Sequence, residues 1–388
     1  MKVLMVCPQF RPVVGGYERA AERLCTSLAG AGIQVLIITE RRDKAWPVAE
    51  HSGGYEVRRL PCVCRRHLHI MTSLLSFAYF LLRHGRGFDV WHVHQYGWHA
   101  GVAILLGLLV RRPVVLKLTN SGYMGIEKAA ADVVAGRILS SCLRLPSACI
   151  AISPETCAEA IRFGIPPDRV HVIPNGLDGR EFHPVSPEER RQARQALGLD
   201  SERIVLFVGR LQAQKNPLGL LEAWDQIDSR TRQGALLCIV GDGSLAAAVS
   251  ARARQPSLAR SVHIAGAQTN VALWYRAAEI MVIPSLTEGL SNTMIEAMAC
   301  GLPVVSTKVS GSSILLGPPP AGRLVSVGSS DELAGAMAEL LNDESARALL
   351  GGNARRAFES NFDLRAVASR VVVLYEALRN QNHSGGAP

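Results

Sequence analysis

What most narrows the folds open to this chain is an alternation of short apolar runs and helical stretches that begins twice. KVLMV (2–6) leads through a Gly-containing turn into the amphipathic stretch ERAAERLCTSLAGA (18–31), and that into a second apolar run, QVLIIT (34–39). Strand, turn, helix and strand in that order make a βαβ unit, which joins parallel strands. Further apolar runs follow at DVWHVH (89–94), PVVLKL (113–118), ACIAIS (148–153) and RVHVIP (169–174), with helical patterns filling most of the gaps. A polar, helix-forming segment, SPEERRQARQALGLDSER (186–203), intervenes. The alternation then restarts at IVLFVG (204–209), ALLCIVG (235–241), VHIAG (262–266), IMVIPS (280–285) and PVVST (303–307). The predicted fold class is α/β, with two Rossmann-like doubly wound domains. A length of 388 residues independently favours two cores over one. The boundaries follow the restart: residues 1–185 form the first domain and 186–362 the second, with the helical pattern of DLRAVASRVVVLYEALR (363–379) closing the chain.

Composition excludes several classes. With 48% hydrophobic and 19% charged residues the chain is globular. The net charge of +9 is lopsided: residues 1–185 hold 22 Lys and Arg against 14 Asp and Glu, and the remainder is close to balance. Such a bias suits an anionic partner, either a phosphorylated substrate or an acidic membrane face. Nucleic acid is not expected, since there is neither a zinc-finger spacing nor a basic block interleaved with aromatics. Nine cysteines without a Cys-x-x-Cys pair read as reduced thiols in a cytoplasmic protein, and Cys62 and Cys64, one residue apart, make poor metal spacing by themselves. The opening apolar run breaks at Pro8, too soon for a secretion signal.

Open α/β sheets hold ligands at the carboxyl ends of their strands, so the loops there carry the chemistry. Gly15-Gly16 precedes the first helix and allows close backbone approach to an anion, although the stretch is not G-x-G-x-x-G. VGRLQAQKNP (208–217) sets Arg210 and Lys215 just beyond a strand, where two cations can clamp a diphosphate. IVGDGSLA (239–246) is a glycine-rich strand-to-helix turn with Asp242 or Ser244 as helix cap. EGLSNTMIEAMAC (288–300) places Glu288 in a loop, Ser291 or Asn292 at a helix start and Glu296 within that helix. Helix N–H groups flanked by two carboxylates suit a ligand with phosphate at its centre and a polyol at each end, as in a nucleotide sugar. Taken singly, each acid reads as an ordinary solvated residue. At the end of the DVWHVH run, His94 sits at a strand end, where open sheets meet their ligands, as a candidate base or hydrogen-bond partner. A packed histidine is an equally ordinary reading, more so for His92.

In combination, GGYER, DVWHVHQ, ISPETCAEAIRFGIPPDRVHVIPNGLD, VGRLQAQKNP, GDGS and EGLSNTMIEAMACGLPVVST resemble the retaining glycosyltransferases of family four, in order from residue 3 to about 380. The resemblance implies the GT-B fold, with two Rossmann-like domains facing a central cleft and the last helix returning to the first domain. It implies metal-independent transfer of a sugar, a hexosyl group, from a UDP- or GDP-sugar to a glycan, lipid-linked or small-molecule acceptor, without a cofactor and with retention. No Asp-x-Asp motif is present to hold a divalent ion. The implied donor-binding residues are Gly16, Gly209, Arg210, Lys215, Glu288, Gly289, Leu290, Ser291, Asn292 and Glu296. Glu288 would contact the transferred sugar, Glu296 the ribose, and Arg210 with Lys215 the diphosphate. Glu288, Arg210, Lys215 and His94 are the catalytic candidates, and Thr119, Asn120 and Ser121 the acceptor-side candidates.

Two departures stand out. Thr119 occupies the place of a histidine near the reacting sugar, and Ile314 that of an acid in the family's Gly-Gly-x-x-Glu. They support one alternative to an active transferase, an inactive partner subunit; a nucleotide-sugar epimerase on a similar fold, which would turn over donor without an acceptor, is a separate alternative. RRHLHIMTSLLSFAYFLLRHGRG (65–87) places an apolar stretch between basic ends, too short to span a bilayer. It reads as a core helix or as one lying on the inner face of an anionic membrane. GVAILLGLLV (101–110) reads as a buried helix.

Overall fold

The computed structural model describes residues 1–13, 16–65, 68–119, 125–126, 136–288, 291–309, 311–312 and 317–384. Asn120, Ser121, Gly289, Leu290 and Ile314 fall outside them. The chain divides into two compact units, Met1–Gly176 with Leu364–Pro388, and Leu177–Asp363. The crossing comes before the polar segment at 186 because Leu177 and Phe182 pack into the second unit's core.

The first unit is built on an eight-stranded sheet. Its strands are β1 (Lys2–Val6), β2 (Gln34–Arg41), β3 (Ala49–Ser52), β4 (Tyr55–Pro61), β5 (Val90–His94), β6 (Val114–Leu118), β7 (Ala148–Ala151) and β8 (Val170–Val172). They lie in the order β3-β4-β2-β1-β5-β6-β7-β8, and only the β3/β4 pair is antiparallel. β3 and β4 escape a sequence reading: AEHS offers no apolar run, and in YEVRRLP buried positions alternate with Glu56 and Arg58. On one sheet face Val3, Met5 and Cys7 pack with Ala21, Leu24 and Leu28 of helix Gly16–Gly30 and with Val367, Val371 and Tyr375 of helix Leu364–Ser384. On the other, Leu4, Val6, Trp91 and Val93 pack with Phe77, Phe80 and Leu81 of helix His69–His84 and with Ala100, Ala103 and Ile104 of helix Trp98–Val110. Contrary to expectation, 101–110 is not wholly buried, since Leu105, Leu108 and Leu109 are exposed. Among the described residues, no helix is long and apolar enough to cross a membrane.

The second unit holds β9 (Arg203–Val208), β10 (Ala235–Val240), β11 (Val262–Gly266), β12 (Ile280–Ile283), β13 (Val304–Thr307) and β14 (Gly322–Val325). The order β11-β10-β9-β12-β13-β14 is parallel throughout. This is the doubly wound Rossmann order, in which ligands sit where the strand order reverses. The reversal falls between β9 and β12. In the first sheet the matching point lies between β1 and β5.

Candidate functional site

At the β9/β12 reversal the sequence folds two loops into one. After β9 the chain makes a tight turn, Ala213–Lys215, and Asn216 takes a left-handed conformation with φ 49°. The Asn216 side chain accepts from Gly219 N at 3.3 Å and Pro217 opens the following helix, so cap and ring together fix where Lys215 stands. Gln214 then joins this loop to the one after β12. Its carbonyl accepts from Leu286 N at 2.8 Å, and its amide nitrogen donates to Thr287 O at 3.0 Å.

The join brings Lys215 onto Glu288. The Lys215 ammonium donates to Glu288 Oε1, and Ser285 Oγ donates to Oε2 at 2.8 Å, so both carboxylate oxygens are engaged. The pair is mostly shielded, with side chains 18% and 10% exposed. Ser285 is itself buried, and its carbonyl accepts from Thr307 Oγ1 at 2.6 Å, which anchors the loop to β13. Sequence reasoning found both charged residues without foreseeing that they pair, and it missed Ser285. The only signal was its place three residues before an acid at a strand end.

On β9's other flank the backbone is packed closely. Gly209 N donates to Val240 O at 3.0 Å and Leu211 N to Asp242 O at 2.9 Å. A Cβ on Gly241, whose φ is +142°, would fall 1.9 Å from Gly209 O, so glycine is required there. The capping role expected in this turn is not what the residues do. Asp242 Oδ1 accepts from the adjacent Gly243 N at 2.7 Å, while the next helix, Ala246–Ala253, starts at Leu245 with no side-chain cap. The Arg210 side chain is exposed and makes no hydrogen bond or ion pair among the described residues.

Beyond the loop, helix Asn292–Ala299 begins at Ser291. Ser291 is the N-cap residue by position, but it makes no capping bond; its Oγ lies 2.9 Å from Thr293 Oγ1. Glu296 accepts from the hydroxyl of Tyr275 at 2.9 Å. Tyr275 is fully buried, with its ring edge-on to Phe182 at 5.6 Å, and burial beside Glu296 pushes its phenol well above the ordinary range. It was missed because nothing in VALWYRA separates it from core.

The first unit gathers polar side chains at its own reversal. The register sets His94 beside Lys117, and Cys7 directly follows Val6, the partner of Val93. His94 is fully enclosed. Its ring stacks on His92 with centroids 4.5 Å apart, and neither of its nitrogens has a hydrogen-bond partner among the described residues. His92 Nδ1 meets the Tyr375 hydroxyl, and burial followed by the nearby Lys117 charge holds His92 well below its usual pKa; for His94, burial is followed by His92 and then Lys117. Lys117 is itself buried, and burial lowers its pKa to about 8. The sequence signal for Lys117 was a charge inside an otherwise apolar central strand. Thr119 follows β6, and its hydroxyl is buried without a partner among the described residues. Gly16 opens helix Gly16–Gly30.

Known proteins place this arrangement. The family model "Glycosyl transferases group 1" matches residues 189–357, and the model "Glycosyl transferase 4-like domain" matches 15–176. A D-inositol 3-phosphate glycosyltransferase of Catenulispora acidiphila is 30% identical over 88% of this chain and 85% of its own. An uncharacterized glycosyltransferase of Methanocaldococcus jannaschii is 28% identical over 97% and 98%. Among solved structures, Anabaena HepE in complex with UDP superposes with a TM-score of 0.79 at 20% identity, covering 97% of this chain and 100% of that one. Sucrose-phosphate synthase of Thermosynechococcus elongatus gives 0.75 at 25% identity, covering 97% and 98%. Family models spanning both units, and a relative alike over most of its length, lead to one conclusion: this chain belongs to the group 1 glycosyltransferases of family four and has their GT-B fold of two Rossmann-like domains.

Proposed function

We propose that the chain transfers a hexosyl group, with retention of configuration and without a resident metal, from a UDP- or GDP-sugar bound at the β9/β12 reversal. The observation that carries the reading is the Lys215–Glu288 pair, shielded and held by Ser285, in the loop that also carries Arg210, whose guanidinium is unpaired among the described residues. A donor diphosphate competes with Glu288 for Lys215. As Lys215 turns to phosphate, Glu288 becomes able to accept from hydroxyls of the transferred sugar. One internal ion pair is thus exchanged for two contacts with the donor, which limits the cost of desolvating either charge. Lys215 and Arg210 then neutralise the departing diphosphate, the electrostatic work a metal would otherwise do. Glu296, aligned by Tyr275, is assigned the ribose hydroxyls. Gly209, Gly289, Leu290, Ser291 and Asn292 are proposed to supply backbone to the phosphates.

Structures of HepE with UDP and with UDP-glucose favour UDP as the carrier. The relatives named for D-inositol 3-phosphate, together with the surplus of positive charge in residues 1–185, favour an acceptor bearing phosphate. Thr119, Asn120 and Ser121 are the proposed acceptor residues, following the strand in which Lys117 pairs with His94. Helix His69–His84 exposes Ile70, Met71, Leu75, Tyr79 and Leu82, and helix Trp98–Val110 exposes Leu105, Leu108 and Leu109. With Arg83, Arg86, Arg111 and Arg112 nearby in sequence, this apolar face suits peripheral contact with an anionic membrane on the cytoplasmic side. The test is transfer from UDP-glucose to inositol phosphates in the presence of a chelator, with NMR reading the product's anomeric centre. Retained configuration and full activity in chelator support the reading; inversion, or loss of activity that added metal restores, contradicts it.

A further inference from the structure

Cys62 and Cys64 are set apart from most of the chain's thiols. Cys7, Cys25, Cys142, Cys149, Cys238 and Cys300 are buried, whereas Cys64 is exposed and Cys62 half-buried. Their sulfurs lie 4.0 Å apart. Two thiolates on one zinc ion, at about 2.3 Å each in a tetrahedron, stand about 3.8 Å apart. A spacing that looked poor in the sequence is therefore close to what a shared ion requires. The fold also supplies what the sequence alone could not: the chain leaves β4 at Pro61, passes both cysteines, and begins the next helix at His69, whose ring returns to them. A ring nitrogen of His69 and the two sulfurs all lie within 4.8 Å of one another.

A second observation is independent of the sulfurs. His69 Nε2 lies 3.1 Å from Glu40 Oε2, and Glu40 is almost fully buried. Ser73 Oγ donates to Glu40 Oε1 at 2.6 Å, and Arg42 Nε donates to Oε2 at 2.7 Å. A carboxylate that fixes one imidazole nitrogen leaves Nδ1 as the ligand and sets the ring's orientation, the outer-shell arrangement typical of ligating histidines. Soft thiolates with an imidazole select zinc among the common divalent ions. Two thiolates and a neutral imidazole balance the charge of the ion, and the thiols release their protons to solvent when it binds.

We propose that Cys62, Cys64 and His69 form a zinc site with three protein ligands and one open position, oriented by Glu40. The ion ties the end of β4 to the first turn of helix His69–His84, the helix that carries the exposed apolar face. The site takes no part in sugar transfer and stands whatever the donor proves to be.

The test uses the full-length reduced protein, stripped with chelator and titrated with Co2+ alone. Expected are one ion per chain, thiolate-to-metal charge-transfer bands with the visible bands of tetrahedral cobalt, and bleaching on addition of Zn2+. Cys64→Ser, at an exposed position that leaves the core intact, should reduce the charge-transfer intensity or weaken binding at least tenfold, and Cys62→Ser combined with it should abolish the bands. Glu40→Gln should weaken binding about 10- to 100-fold while the sulfur bands remain. Absence of charge-transfer bands in the reduced protein overturns the proposal. So do bands that survive in the double variant Cys62→Ser with Cys64→Ser, which would put the cobalt on other thiols.

Discussion

Lys215 and Glu288 neutralise one another, so removing either changes more than one contact. Lys215→Ala strands a shielded carboxylate and removes a phosphate ligand. Charge-assisted hydrogen bonds are worth about 1.5–3 kcal/mol, so UDP affinity by calorimetry should fall by roughly ten- to a hundredfold. Arg210→Ala should weaken UDP binding with little change in stability, because that guanidinium supports nothing else among the described residues. Lys117 predicts a pH effect of definite sign. Its folded pKa of about 8 lies below the ordinary 10.5, so between those values the unfolded chain binds more protons and stability climbs with rising pH. Lys117→Met should therefore stabilise the protein at pH 7 by on the order of 1–3 kcal/mol and lose that advantage above about pH 10. Urea unfolding at the two pH values checks this, and an advantage equal at both would contradict it. At this scale the charged site residues were legible as strand-end charges. Ser285 and Tyr275 were not, because their roles come from hydrogen bonds across loops and helices that no local pattern encodes.

Among the elements, the β9 and β10 turns are joined so closely that the site's backbone depends on one glycine. Gly241→Ala needs a Cβ 1.9 Å from Gly209 O and a left-handed φ, so it should lower stability by several kcal/mol or displace the Arg210 loop. Loss of UDP binding alongside a lowered melting temperature is the expected result, and unchanged values of both would show that the turn yields. Helix His69–His84 was legible only in part. Its sequence allowed either a core helix or a membrane-surface helix, and the structure gives it a buried row, Ser73, Phe77, Phe80 and Leu81, backed by an exposed apolar one. Each exposed apolar side chain that enters a bilayer interface contributes about 1–2 kcal/mol. Leu75→Glu with Leu109→Glu should accordingly cut co-sedimentation with phosphatidylglycerol vesicles by tenfold or more. Equal sedimentation of variant and parent would remove this face from membrane contact.

For the whole molecule, the two restarting alternations made the pair of sheets legible, because parallel strands buried on both faces leave apolar runs that stand out from their surroundings. β3, β4 and β14 were not, being short, half-exposed or mixed with arginine. The last helix belongs to the first unit, covering Val3 and Met5 with Val367, Val371 and Tyr375. Ending the chain before Leu364 should therefore unfold the first unit while leaving a separate transition for the second, seen by calorimetry. The β9/β12 reversal is proposed to bind and activate a sugar nucleotide. The most direct test of this proposal is a panel of UDP-, GDP- and ADP-sugars followed by NMR for binding and slow donor breakdown, with Glu288→Ala and Lys215→Ala beside the parent chain. The parent should bind a UDP- or GDP-sugar and hydrolyse it slowly, Glu288→Ala should lose the breakdown, and Lys215→Ala should bind the donor roughly ten- to a hundredfold more weakly. Binding and breakdown left intact in both variants would contradict the proposal.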